Sequence, residues 1–351
     1  EAQLYFFPVL ALGVLPTLAP FLPGLPLRSA IVLAPVANVA LAAKEILIGA
    51  FDWPMIALSW LVTLAAAIWT TRWSVRLLSR ERLITAQETD AVEFTGGPAL
   101  FSRRVLRWFA VMWGALLMVS GFTADLDLRA QLLINLVVLF FGASVLMIRR
   151  YRLDPHEALA LRAPKPVVWL AVVFGIPSGI LTGIGLFRLA NLFVPVPQKM
   201  LESFSQAIAP QDLPLAQMLF FMAVLPGIFE EITFRGVLLY GLRNRLRPLL
   251  LALVIGLIFG LFHVSLFRLA PTACLGFLFA LATMLAGSIF PAMLWHAGNN
   301  ALGILAMRHQ IPLEDLEPRA YVIGAAMLAG VFWILWRNRT PYPGQIGRAH
   351  V

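Results

Sequence analysis

The sequence predicts an all-α fold, a polytopic bundle of about ten transmembrane helices. Three observations point there. Hydrophobic residues make up 60% of the chain and charged residues 13%, whereas soluble domains carry nearer a quarter charged residues. The apolar residues come in long blocks rather than alternating with polar ones. Arginines gather in the short segments between those blocks, as they do in the cytoplasmic loops of membrane proteins.

The elements follow in order. The chain opens at Glu1 and runs at once into an apolar block over 4–22 that holds Pro8, Pro16 and Pro20, which opposes a regular helix. This start reads as an internal position of a longer protein. No cleavable signal is visible. Blocks at 29–43 and 54–70 are short for a span, which needs about 20 apolar residues to cross a hydrocarbon core of about 30 Å. The stretch 72–107, with Gln87, Glu88, Asp90, Glu93 and Gly96-Gly97-Pro98, is too polar for the bilayer and reads as a cytoplasmic connector. Spans are expected at 105–123 and 130–148, then, past the basic juncture Arg149-Arg150-Tyr151-Arg152, at 167–186 and 214–240. Four more are expected at 249–267, 271–287, 289–307 and 320–336. Residues 346–351 read like a translated sequencing-library adapter and are left out of functional reasoning.

Charge sets the orientation. Loops on one side hold seventeen Lys and Arg residues, from Arg72 through Arg149, Lys165 and Arg243 to Arg339; the opposite loops hold six, namely Arg129, Arg188, Lys199, Arg268, Arg308 and Arg319. The richer set belongs in the cytoplasm. The net charge of +9 is therefore a membrane signature, not a nucleic-acid one. The single cysteine, Cys274, lies in an apolar block, has no partner for an intrachain disulfide and reads as core packing.

Charged and strongly polar side chains at membrane depth cost a few kcal/mol each and are usually functional. Here they cluster in three neighbouring blocks: Phe229-Glu230-Glu231-Ile232-Thr233-Phe234-Arg235, Phe259-Gly260-Leu261-Phe262-His263, and His296-Ala297-Gly298-Asn299-Asn300. Glu231 and Arg235 are four apart, share a helix face and can pair, which gives them an orienting role. Glu230 lies about 100° around the helix and is free to point elsewhere. Phe259 and His263, and His296 and Asn300, also share faces. Two helices would thus each present a histidine and a third a carboxylate. A carboxylate can activate water while imidazole and amide groups donate a proton or bind an oxyanion. Taken singly, each motif has a bland reading: adjacent glutamates at a helix end face solvent, and a lone buried histidine is more often a satisfied core group. Three such motifs in neighbouring apolar blocks weigh against it. His156, His309 and His350 lie in polar segments and read as solvated. No His-Glu-x-x-His is present, so a zincin helix is excluded; Glu230, His263 and His296 remain candidates for a three-ligand metal site.

The three blocks resemble the Glu-Glu-x-x-x-Arg, Phe-x-x-x-His and His-x-x-x-Asn motifs of the CPBP family of intramembrane proteases, which includes the type II CAAX prenyl endopeptidases and bacteriocin-processing proteins. The resemblance covers roughly 170–310. It implies a membrane endopeptidase in which Glu230 activates water, His263 assists, and His296 and Asn300 bind the oxyanion. The family's name implies a divalent metal such as zinc, while its motifs also read as metal-independent glutamate catalysis.

Residues 33–41, then Lys44-Glu45 and Phe51-Asp52-Trp53, resemble the end of an ABC-type sodium-export permease subunit. The organisation expected is a permease-like fragment at 1–95, a connector with two spans at 96–165, a CPBP-type domain at 166–310, and a final span with a basic tail at 311–345. The expected partners are membrane lipid, a membrane-associated protein or peptide substrate, and a separate ABC ATPase, since no phosphate-binding Gly-rich loop is present. The expected location is a bacterial cytoplasmic membrane. Two functions stand side by side: a membrane endopeptidase, or an export permease component with a protease-like appendage.

Overall fold

The computed structural model describes residues 15–21, 25–28, 30–85, 97–123, 125–193, 196, 198, 201 and 213–344. Most of the opening apolar block, the polar residues 86–96 and the adapter-like tail lie outside them. The described residues form helices and turns with no strand. The chain divides into two compact units, Glu1–Thr95 and Gly96–Val351.

The first unit packs two short 3-10 segments, Leu15–Phe21 and Ala30–Leu33, with α1 (Ala37–Leu47) and α2 (Trp53–Thr85). Asn38 ties it together from a fully buried position. Its Nδ2 donates to Val32 O at 2.8 Å and Ser59 O at 3.1 Å, and its Oδ1 accepts from Thr63 Oγ1 at 2.8 Å. Every polar atom of this amide is thereby partnered, as burial demands. The block at 54–70, short by sequence, lies on a helix that continues well past it, with a span-length apolar window over Trp53–Val75.

The second unit is a helical bundle. Its helices are α3 (Pro98–Phe122), α4 (Leu128–Arg150), α5 (Pro166–Phe193), α6 (Leu215–Leu242), α7 (Pro248–Leu261), α8 (Leu266–Ala286), α9 (Phe290–Arg308) and α10 (Pro318–Arg337). Each block expected to span at or after 105, except that at 249–267, falls on one of them. Six helices among the described residues are long and apolar enough to cross a membrane, namely α2 in the first unit and α4, α5, α6, α8 and α10 in the second. The remaining helices are shorter or more polar, α9 through His296, Asn299 and Asn300, and the whole is the polytopic helical bundle expected.

The block expected as one span over 249–267 is not continuous. α7 ends at Leu261, and Val264 takes the left-handed φ of 47°, so the chain reverses before α8. Only His263 and Ser265, on either side of Val264, mark this turn in an otherwise apolar run. The 14 residues of α7 reach only about 21 Å, less than the hydrocarbon thickness.

Packing inside the bundle relies on small residues, the usual device where lipid removes the hydrophobic drive between helices. α7 and α8 approach until a Cβ on Gly256 would stand 2.5 Å from Ala273 O, and one on Gly276 2.9 Å from the Gly256 Cα. A second core joins α5, α8, α9 and α10 through Val172, Phe279, Trp295 and Val331.

The basic segments converge at one end of the bundle. Arg245 Nε donates to Ser102 Oγ at 3.0 Å at the start of α3, and Arg243 Nε donates to Gly344 O at 3.0 Å beyond α10. Thr340 N donates to Leu285 O at 2.8 Å at the end of α8, and Ile289 N to Ala160 O at 3.2 Å in the segment after α4. At the opposite end Arg129 reaches Gln217 and Arg188 reaches Leu316 O, both at 3.0 Å.

Candidate active site

The site is built on α6, α8 and α9 and on the turn after α7. Near the middle of α6 stand Glu230 and Glu231, with the wide-wound segment Ile232–Leu238 beginning immediately after them. Glu231 and Arg235 are both fully buried, and Arg235 Nη1 donates to Glu231 Oε1 at 2.8 Å. The guanidinium also donates through Nη2 to Gly276 O at 3.0 Å, and lies 4.3 Å from the Phe259 ring centroid. Two aromatic faces and a backbone carbonyl thus replace the water that a buried cation loses.

His296 joins α9 to this pair. Its Nδ1 lies 2.8 Å from the same Glu231 Oε1. A carboxylate accepts, so Nδ1 carries the proton and Nε2 is left for other work. Nε2 faces Glu230, whose Oε2 is 4.0 Å away. The two adjacent glutamates therefore flank one imidazole from opposite edges, where helical spacing left Glu230 free to seek another helix. The ring is further fixed by stacking on Phe279 at 5.2 Å between centroids.

His263 lies in the turn after α7, not within a spanning helix. Its Nδ1 is 2.9 Å from Phe259 O. A carbonyl only accepts, so this histidine also bears its proton on Nδ1 and leaves Nε2 bare. The Phe259 ring touches both imidazoles edge-on, at 4.8 Å to His263 and 5.7 Å to His296. Asn300, one turn along α9 from His296, donates from Nδ2 to Met222 O at 3.2 Å.

The three-ligand metal set considered for Glu230, His263 and His296 does not assemble. Among the described residues no group of three His, Cys, Asp or Glu side chains gathers at ligating spacing. Both histidines turn Nδ1 to an acceptor and leave Nε2 bare, the form a ligating histidine takes, so it is the spacing of the three side chains, not their protonation, that departs from a metal site here.

Several participants were not legible as site residues. Phe279 and Gly276 carry no polar signal; Met222 acts through its backbone; Pro226 and Gly227 pass as ordinary membrane-helix residues. The one available hint was a proline in the middle of an apolar block, four residues before Glu230.

Residues 212–302 match the family model for type II CAAX prenyl endopeptidase Rce1-like proteins. The match runs from the start of α6 through most of α9 and so spans every residue of the site. No curated protein and no solved structure matches the chain. Together with the apolar helices, the match supports an integral membrane protein whose residues 212–302 are similar to a membrane-endopeptidase family.

Proposed function

We propose that the chain hydrolyses a peptide bond of a membrane-associated protein or peptide, with Glu230 as the base that activates water. The observation that carries this reading is the approach of one largely buried carboxylate, Glu230, to an imidazole that a second, fully buried carboxylate holds in place. Glu230 takes a proton from water as the water oxygen attacks the scissile carbonyl. His263, with Nε2 bare, assists by taking up that proton and passing it to the departing amine. His296, its ring held by Glu231, binds the oxyanion from its Nε2 edge. Asn300 supplies its second amide N–H. Glu231, Arg235 and Phe259 orient these groups and do not react. The basic end of the bundle is cytoplasmic in a bacterial cytoplasmic membrane under this reading, in line with the lysine and arginine bias.

Cleavage of an internally quenched peptide library by the full chain in liposomes tests the proposal. Asn300→Ala should lower turnover on the order of a hundredfold, as loss of an oxyanion donor does. Unchanged turnover in that variant would remove Asn300 from the mechanism, and a wild-type chain that cleaves nothing would remove the peptidase reading.

A further inference from the structure

Pro226 lies in the interior of α6, four residues before Glu230. A helix carbonyl accepts from the N–H four residues on. In the α register the donor to Met222 O is position 226, where proline has no N–H to give, which leaves within the helix only the longer five-residue step to Gly227 N. The carbonyl is partnered from another helix, by Asn300 Nδ2 of α9 at 3.2 Å.

Two further features fit this arrangement. Gly227, next to the proline, lets the helices meet: a Cβ there would stand 2.8 Å from Ala297 Cβ and 2.9 Å from Ala297 N. The segment Phe220–Val224, just before the proline, is wound as a π-helix, a form found mostly as single turns at functional sites. Met222, Pro226 and Glu230 follow one another at four-residue steps, so the freed carbonyl and the carboxylate lie along one face of α6.

We infer that Pro226 is a positioning residue: by withholding an N–H it reserves the Met222 carbonyl for Asn300. A carbonyl only accepts, so the bond fixes which way the Asn300 amide is turned. Nδ2 faces α6, and the second N–H stays available to a reacting carbonyl. The helix gives up one internal hydrogen bond, and the amide gains a fixed orientation before substrate arrives. This inference rests on the peptidase reading of the site, in which Asn300 binds the oxyanion.

Pro226→Ala tests it. Alanine restores the N–H, which competes for Met222 O and loosens Asn300. In liposomes, with the same quenched peptide library, kcat should fall roughly 10- to 100-fold, the penalty of a misplaced catalytic group, with KM unchanged. The melting temperature of the same variant should rise, because the helix recovers a hydrogen bond. A merely structural proline would move kcat and stability together or leave kcat alone, and an unchanged kcat at wild-type or higher stability would overturn the inference.

A thermal cycle reads the same coupling without activity. Asn300→Ala in the wild-type background leaves Met222 O without its bond from α9 and should lower the melting temperature by roughly 2–4 °C. In the Pro226→Ala background the carbonyl has its own N–H, and that drop should largely vanish. Equal drops in both backgrounds would overturn the inference. If the wild-type chain cleaves no peptide, the peptidase reading fails, and the cycle still decides whether Pro226 reserves the carbonyl.

Discussion

Glu231 is the most constrained residue of the site, because one of its oxygens serves two partners. Oε1 holds Arg235 and His296, each at 2.8 Å, in a fully buried position. Removing either partner leaves charge without compensation, which costs about 3–5 kcal/mol for a buried pair. Arg235→Ala should therefore lower folded yield in detergent and abolish any cleavage with it. Arg235→Lys should recover little, since an ammonium cannot both reach Glu231 and Gly276 O and lie flat between the Phe259 and Phe279 rings. Fluorescence size-exclusion chromatography of the two variants checks this; wild-type yield of Arg235→Ala would show the pair to be dispensable. The four-residue spacing of Glu231 and Arg235 was legible in the sequence. The bond from Glu231 to His296 was not, because it links residues 65 apart in the chain and depends on how α6 and α9 are rotated about their own axes.

At the scale of elements, close helix contacts set the site's geometry. α7 and α8 meet through Gly256, Gly260 and Gly276. That contact holds the Phe259 ring against Gly276 and brings the His263 turn beside it. Gly256→Leu would force a side chain into the Ala273 carbonyl and the Phe277 backbone. Overpacking of this kind costs roughly 1–3 kcal/mol or more, so a fall of several degrees in the melting temperature is expected. Gly330 has open space around it, and Gly330→Leu should leave the temperature near wild type. Equal melting of the two variants would contradict the packing account. The helical blocks themselves were readable from hydropathy. The end of α7 at Leu261 was not, since the run stays largely apolar to Phe267 and His263 and Ser265 beside Val264 are too weak a mark of a chain reversal.

For the whole molecule, the separate basic segments meet at one end of the second unit. Segments near Ser102, Ala160, Arg243–Arg245 and Thr340–Gly344 are hydrogen-bonded to one another or to the turn between α8 and α9. Sequence alone assigned them to one side by counting charge, and the helix directions bring them together. In a Cys274→Ser background, Asn244→Cys should react with a membrane-impermeant maleimide only from the cytoplasmic side. Ile311→Cys, between α9 and α10, should react from outside. Labelling of Asn244→Cys from outside would invert the orientation.

The central claim is that Glu230 activates water beside a histidine that Glu231 holds. Glu230→Gln keeps the shape and removes the base, and Glu230 takes no part in the Glu231–Arg235 pair that supports the fold. Turnover of a quenched peptide library by the full chain in liposomes, compared between wild type and Glu230→Gln at matched folded yield, measures the claim directly. The account predicts a fall of about two to four orders of magnitude, whereas cleavage by Glu230→Gln at the wild-type rate would contradict it.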